Sequence, residues 1–287
     1  MGLNLSDHQK TMLTHMGIRL DFLSATSAPD MGSCTDDPGA ATPLGATPNR
    51  ATPAAHPPAV PAKAAVPDAV ASAPAAAKPV VRTDVAQADW EQLQQAVRAC
   101  TACALCQTRK QTVFGVGTPP SPDKRIDIMI VGEAPGEHED VQGEPFVGAA
   151  GQLLDQMLTA LGLSRQPEGG PAGQVFIANV LKCRPPGNRN PHADEVAQCL
   201  PFLQRQIEWV RPKLLLAMGR FGAQALLAPT LPHVEGTPLG KLRGQSHQYQ
   251  GIPLVVTYHP AYLLRSPSEK GKVWADLCLA QSLASGA

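Results

Sequence analysis

Four short runs of apolar residues alternate with segments of helical periodicity from residue 126 onward. The runs cover residues 126–131, 175–181, 213–218 and 253–257. Helical spacing of apolar residues follows at 151–161, 192–210, 220–227 and 272–284, and a further helical pattern covers 90–99. Because the runs are continuously apolar, helices must cover both faces of the sheet that they form. The pattern predicts an α/β fold with three layers, α/β/α, around a central four-stranded parallel sheet.

Loops rich in Gly, Pro and polar residues follow three of the four predicted strands. They are GEAPG after the first strand, residues 179–191 after the second, and YHPAYLLR after the fourth. Ligands of parallel sheets bind at the carboxyl ends of the strands. We therefore predict that these three loops assemble one site.

The string HPAYLLR, residues 259–265, is interpreted as a loop with apolar side chains available at its surface. Leu263 and Leu264 beside the basic Arg265 have the character of a wedge that enters a stack of nucleic-acid bases. The alternative is that the leucines close the core, and we expect this of one of the two.

Composition separates one folded domain, residues 85–287, from an N-terminal extension. Residues 25–84 are rich in Ala and Pro and contain no Phe, Tyr or Trp, so they cannot bury enough apolar surface to offset their ordering entropy. We predict a disordered linker there. Residues 1–24 are predicted to form a short helix, with docking to a protein partner as the second interpretation. No run approaches the roughly 18–20 apolar residues of a membrane span, which predicts a soluble protein.

Four cysteines, in the pairs Cys100 with Cys103 and Cys183 with Cys199, suit a tetrahedral zinc ion or an iron-sulfur cluster. The wide gap between the last two favours a cluster over a zinc ribbon. Cys106 is a substitute ligand in this interpretation. The alternative is that all are buried free thiols. The formal net charge of +0 neither predicts nor excludes a nucleic-acid partner.

The strings VGEAPGEHED, GEPFVGAAGQLL, IANVLKCRPPGNRNP and HPAYLLR together closely resemble the family 4 uracil-DNA glycosylases, the bacterial and archaeal iron-sulfur type. The resemblance implies hydrolysis of the N-glycosidic bond of uracil in DNA, leaving an abasic site for base excision repair. It also implies a 4Fe-4S cluster on Cys100, Cys103, Cys183 and Cys199. The partner is uracil-containing DNA, and a monomeric, cytoplasmic, nucleoid-associated enzyme is expected.

The resemblance assigns three residues to the base. Phe146 would stack on the flipped uracil, and Asn179 would donate to O4 and accept from N3–H, a pairing that cytosine cannot reproduce. His259 would donate a hydrogen bond to O2 as negative charge develops there, for which a neutral imidazole is sufficient.

Further pocket residues are implied in the first loop. Backbone groups of Glu133, Ala134 and Gly136 would line the pocket, and Glu139 would lie near the C5 edge and exclude the methyl group of thymine. Glu133 and Glu139 are both candidates to orient water. Ala134 stands where the wider superfamily often has an Asp that activates water, so we favour a dissociative mechanism in which the sugar cation forms first.

DNA contacts are expected from local donors and from the apolar wedge. Leu263 would enter the duplex, and the backbone contacts are assigned to Arg184, Arg189, Lys241, Arg243 and Arg265. The rival from another functional class is a non-enzymatic iron-sulfur or zinc-stabilised module that binds damaged DNA. That module would have no need for the Phe146, Asn179 and His259 trio.

Overall fold

The computed structural model describes Lys10 and residues 83–121, 125–166 and 173–286. The predicted helix at 1–24 lies outside the described residues except for Lys10, which is helical. The predicted linker at 25–84 also lies outside them, apart from its last two residues, which begin the first helix below.

The described helices are α1 Thr83–Gln87, α2 Trp90–Arg98, α3 Glu137–Gln142, α4 Ala149–Ala160, α5 Ala193–Val210, α6 Gly219–Leu227, α7 Leu239–Leu242, α8 Pro260–Arg265 and α9 Lys270–Ser285. Five of the described helices, α2, α4, α5, α6 and α9, match the helical patterns of the sequence, and four shorter ones were not predicted. Helix α2 begins with a reciprocal cap, in which the Asp89 carboxylate accepts from the Gln92 N–H at 2.8 Å and the Gln92 side chain accepts from the Asp89 N–H.

The described strands form a seven-stranded sheet. They are β1 Val116–Gly117, β2 Ile128–Gly132, β3 Leu163–Ser164, β4 Gly173–Asn179, β5 Leu214–Met218, β6 Ser246–Tyr249 and β7 Ile252–Thr257. The order is β1-β4-β2-β5-β7-β6, and β3 pairs with β4. Strands β4, β2, β5 and β7 are mutually parallel, so the predicted four-stranded parallel centre is confirmed.

The sheet has three more strands than we predicted. Strands β1 and β6 pair antiparallel at the two ends of the strand order, and β3 adds two residues parallel to β4. Strands β1 and β3 are two residues long, and β6 reads SHQY, which is polar and has two exposed residues of four. None of them has the continuous apolar run by which a buried strand is recognised.

Alternate residues of the central strands pack on opposite faces of the sheet. Ile128 and Ile130 of β2 belong to the apolar cluster that contains Leu154 of α4 and Leu277 of α9. Met129 belongs to the second cluster, with residues of α5 and α6. Both faces are therefore covered by helices, and the α/β/α layering is confirmed. No described helix has both the length and the apolar character needed to cross a membrane.

The segment HPAYLLR is not the loop that we predicted. Residues 260–265 form helix α8, which begins with Pro260 at its first position and has His259 as its N-cap. The helical conformation of this segment determines which of its two leucines is exposed. Leu263 points into the core with 0% exposure, whereas Leu264 is 48% exposed.

Candidate active site

A cavity of about 450 Å³ opens at the carboxyl ends of β2, β4 and β7. It combines residues from the three loops singled out in the sequence, as parallel-sheet topology predicts. Its lining includes all seven residues expected in the uracil pocket: Glu133, Ala134, Gly136, Glu139, Phe146, Asn179 and His259.

His259 enters the cavity as a neutral hydrogen-bond donor. Its Nδ1 accepts from the Ala261 N–H at 3.2 Å, so the neutral ring carries its proton on Nε2. Burial lowers the pKa of His259 from 6.5 to about 4, and the positive charge of Arg265 acts in the same direction while Glu139 opposes it. The imidazole is therefore uncharged at neutral pH and offers one N–H.

Asn179 presents an acceptor at the end of β4. Its side-chain oxygen is buried and has no hydrogen-bond partner among the described residues, and the residue is 2% exposed. A buried polar atom without a partner is costly, and a ligand that donates to it recovers that cost. Gly132 leaves the room for this amide, since a Cβ there would clash with the Asn179 oxygen and lie 2.7 Å from the Phe146 ring.

Phe146 forms an aromatic wall of the cavity. Its ring faces that of His259, with 5.3 Å between centroids and an angle of 26° between planes. The backbone at Phe146 is left-handed, with φ of 55°. This conformation costs about 1–2 kcal/mol for a residue with a side chain, so the surrounding contacts must stabilise it.

The two acidic candidates differ in their surroundings. One oxygen of Glu139 accepts from the Val147 and Gly148 N–H groups, at 3.0 and 3.3 Å, so this carboxylate is bound to the loop that carries Phe146. Burial raises the pKa of Glu133, and the charge of Arg220 partly opposes the increase. A carboxylate with a raised pKa is a stronger base, which suits the orientation of water.

The residues expected to contact DNA differ in where the structure places them. Arg189 and Arg265 line the cavity, and Arg189 makes a two-pronged pair with Glu195 at 2.5 and 2.9 Å. Arg184 donates to the Asn188 side chain at 2.7 Å. The assignment of Leu263 to the DNA wedge is wrong, because this residue of α8 points into the core and is fully buried.

Arg243, also expected at the DNA backbone, faces the interior instead. Its guanidinium donates twice to the buried carboxylate of Asp276, at 2.8 and 3.0 Å. The Thr257 hydroxyl donates to the same carboxylate at 2.8 Å. Because Thr257 ends β7, this network fixes the strand from which His259 emerges.

The family model of the uracil DNA glycosylase superfamily matches residues 119–278. A type-4 uracil-DNA glycosylase of Pyrobaculum aerophilum is 42% identical over 197 residues, which cover 67% of this chain and 92% of that relative. The chain belongs to the uracil DNA glycosylase superfamily. A type-4 uracil-DNA glycosylase of Thermotoga maritima is 38% identical over 63% of this chain and 85% of the relative. A type-5 uracil-DNA glycosylase of Pyrobaculum aerophilum is 33% identical over 52% and 68%. The resemblance to the family 4 enzymes is confirmed.

Five thiols of this glycosylase line a second cavity, between α2, α5 and the segment after β4. They are Cys100, Cys103, Cys106, Cys183 and Cys199. Within the described residues, no three His, Cys, Asp or Glu side chains converge on the position of a single metal ion.

The chemistry of this cavity fits a thiolate-bound group. Burial raises the pKa of Cys199 to about 12 and also raises that of Cys103 and Cys183, so these thiols need a nearby cation to ionise. Donors already face two of the sulfurs: the Arg109 guanidinium lies 3.2 Å from Cys183 Sγ, and the Lys182 N–H lies 3.3 Å from Cys199 Sγ. Such N–H donors stabilise ligated sulfur.

Several glycosylase pocket residues were not singled out from the sequence. They are Pro135, Ala150, Pro185, Asn188 and Ala261. Pro185 and Asn188 lie in the string IANVLKCRPPGNRNP, directly after the second predicted strand. Their position at a strand end was the signal that could have identified them as pocket residues. Ala150 and Ala261 carry no signal in their side chains, and the contribution of Ala261 is the backbone N–H that it donates to His259 Nδ1.

Proposed function

We propose that the protein hydrolyses the N-glycosidic bond between uracil and deoxyribose in DNA and leaves an abasic site, the first step of base excision repair. The observation that carries the proposal is the buried, unpartnered oxygen of Asn179 beside the Phe146 and His259 rings in one cavity. Membership of the superfamily supports it, and so do relatives named uracil-DNA glycosylases. Release of free uracil from a uracil-containing oligonucleotide tests it.

Asn179 and Phe146 perform recognition in this proposal. The Asn179 oxygen accepts from uracil N3–H and its amide N–H donates to O4, while Phe146 stacks on the base. Cytosine has no N3–H and has a donor in place of O4, so it would leave buried polar atoms mispaired.

His259 stabilises the leaving base. Its Nε2–H donates to uracil O2, where negative charge accumulates as the glycosidic bond breaks. A donor fixed in advance in a site that excludes water lowers the barrier without itself being charged. The C1′–N1 bond breaks with its electron pair passing to uracil. Water then adds to the sugar cation at C1′, and the proton that it releases balances the one that the uracil anion takes up to become free uracil.

Glu133 is proposed to orient that water, since burial raises its pKa and the residue lines the cavity. Glu139 is proposed to act at the C5 edge of the base, while one of its oxygens accepts from the Val147 and Gly148 N–H groups. Ala134 and Gly136 line the pocket through their backbone. Ala134 cannot activate water as an Asp would. We therefore propose a dissociative mechanism, because water that attacks a sugar cation already formed needs little activation by a general base.

Arg184, Arg189 and Arg265 are proposed to contact the DNA backbone. Tyr262 and Leu264 are exposed on α8, and Tyr262 also lines the cavity. We propose that these two side chains form the wedge, for which the sequence offered Leu263 and Leu264. An apolar side chain entering the base stack offsets part of the cost of flipping the uracil. The rival of a non-enzymatic module gains no support from any of these features.

We also propose that Cys100, Cys103, Cys183 and Cys199 hold a 4Fe-4S cluster. The thiol-lined cavity and the resemblance to the iron-sulfur family support this choice. When bound, the cluster would link the start of the domain, at Cys100 and Cys103, to its middle, at Cys183 and Cys199, and no step of base removal would depend on it. A protein partner for residues 1–24, a monomeric state and a nucleoid location stay predictions.

Metal content provides a test of this ligand set. Protein purified without air should contain iron and sulfide and show broad visible absorbance. Cys199→Ala should lose most of the iron, whereas Cys106→Ala, in the same cavity, should keep it. Stoichiometric zinc in colourless protein would refute the cluster, and iron loss in Cys106→Ala would refute the choice of ligands.

The pH profile of excision should reflect the neutral state of His259. The folded-state pKa is about 4, below the ordinary 6.5, so the ring stays neutral as the pH falls through 6.5. We expect a single-turnover rate that is level across 6.5 and declines only towards 4. Stability should fall over the same interval, because the unfolded chain takes up the proton first. A rate inflection near 6.5 that disappears in His259→Ala would contradict the neutral assignment.

A further inference from the structure

Arg165 is a buried cation that the proposed chemistry does not use. It follows β3 and is 8% exposed. Its Nε donates to the Asp155 carboxylate at 2.6 Å, and its Nη1 donates to the carbonyl oxygen of Pro145 at 2.8 Å. A guanidinium is rarely buried without a specific partner. The bond to Pro145 brings this one to the peptide that immediately precedes Phe146.

The peptides on the other side of Phe146 are held as well. Glu139 accepts from the N–H groups of Val147 and Gly148, at 3.0 and 3.3 Å. Gly151 lets α4 approach the carbonyl group of Phe146, because a Cβ at that position would clash with it. A buried cation and a carboxylate thus fix the backbone on both sides of a residue whose φ is 55°.

This arrangement controls the direction of the Phe146 ring. A left-handed residue that loses its restraints relaxes to the more common right-handed or extended conformations. Such a change of φ would turn the ring away from its position facing His259, at 5.3 Å, and away from the cavity.

We propose that Arg165 is a positioning residue that, with Glu139, holds Phe146 in the left-handed conformation from which its ring stacks on the flipped uracil. The inference rests on the proposed function, since it assigns a support to one residue of that site. Arg165 lies behind the loop and does not touch the base.

A double-mutant cycle tests the proposal on the full chain with its metal content preserved. The proteins are the wild type, Arg165→Met, Phe146→Ala and the double variant. Met fills the space of the Arg stem without its hydrogen bonds. Single-turnover uracil excision and the inhibition constant of free uracil are measured for each, with thermal unfolding alongside.

We expect Arg165→Met to lower the excision rate roughly tenfold and to weaken inhibition by free uracil by a similar factor. In the Phe146→Ala background the same substitution should change either quantity less than about twofold, because there is no ring left to position. Asp155→Asn is the matched control. It keeps an acceptor for Arg165 and leaves the bond to Pro145 in place, so excision should stay within about twofold of the wild type.

If Arg165→Met lowered the excision rate by the same factor in both backgrounds, the inference would be overturned. A general effect on folding acts by the same factor whether or not the Phe146 ring is present. Unchanged inhibition by uracil in Arg165→Met would overturn it as well. If Arg165→Met does not fold, Arg165→Lys replaces it in the same cycle and should give a smaller loss that also disappears with Phe146→Ala. A wild-type protein that releases no uracil would refute the proposed function itself, whereas active enzyme indifferent to Arg165 refutes only this inference.

Discussion

Replacing His259 with alanine should lower the single-turnover rate of uracil excision by about a hundredfold to a thousandfold. The reason is the loss of the Nε2–H donor at uracil O2, where the charge of the leaving base develops. That donor is already oriented, because Nδ1 is held by the Ala261 N–H and the pKa of about 4 keeps the ring neutral. Binding of uracil-containing DNA should change much less than the rate, since the interaction strengthens in the transition state.

His247→Ala is a suitable control for this measurement. His247 lies on β6 at one end of the strand order, and its ring contacts the Leu242 carbonyl group rather than the cavity. We expect this variant to retain wild-type excision. A His259→Ala enzyme that excises uracil at the wild-type rate would refute the role of His259.

Replacing Asn179 with alanine should lower excision of uracil roughly 150-fold. Two hydrogen bonds to the base, each worth about 1.5 kcal/mol in a buried site, are lost together. Discrimination should weaken as well, because the atoms that mispair with cytosine are gone. Inhibition by free uracil should weaken in the same variant, and single-turnover excision on uracil and cytosine oligonucleotides measures both effects.

The same strand offers a matched control for Asn179. Gln174 also has a buried side-chain oxygen without a partner among the described residues, but it lies near the amino end of β4, away from the cavity. Gln174→Ala should leave excision unchanged. Equal losses in the two variants would mean that the integrity of β4, and not recognition by Asn179, sets the rate.

The central strands were predictable because a continuously apolar run indicates a strand that is buried on both faces of the sheet. The runs at 128–132 and 214–218 contain only buried residues, and no tertiary information is needed to recognise such a pattern. Strand β6 was missed because two of its four residues are exposed and its sequence, SHQY, is polar. Its pairing with β7 depends on the turn that brings the two together.

The wrong prediction of a loop in place of helix α8 led to the wrong assignment of Leu263 to DNA contact. Two consecutive leucines in a loop are equally available, but on a helix they lie about 100° apart, so one faces the core and the other faces solvent. Leu263 is consequently buried and Leu264 exposed. Pro260 after a capping His was the signal for a helix start that the interpretation as a loop overlooked.

The residues proposed to contact the base could be predicted from the sequence, whereas the residues that hold their backbone in place could not. Phe146, Asn179 and His259 stand in recognisable strings after strands. Arg165 reaches Pro145 across 20 positions, and Arg243 reaches Asp276 across 33. Such pairings arise from tertiary packing, and nothing in the local sequence of an Arg distinguishes a buried support from a DNA contact.

The most direct test of the account uses matched oligonucleotides that carry uracil, thymine or cytosine at one position. Purified protein in excess is incubated with each, and alkaline treatment then cleaves the strand at any abasic site. We predict cleavage of the uracil strand alone, with strong reduction in Asn179→Ala and His259→Ala. An uncleaved uracil strand, with the metal content of the protein intact, would contradict the assignment of this cavity to uracil excision.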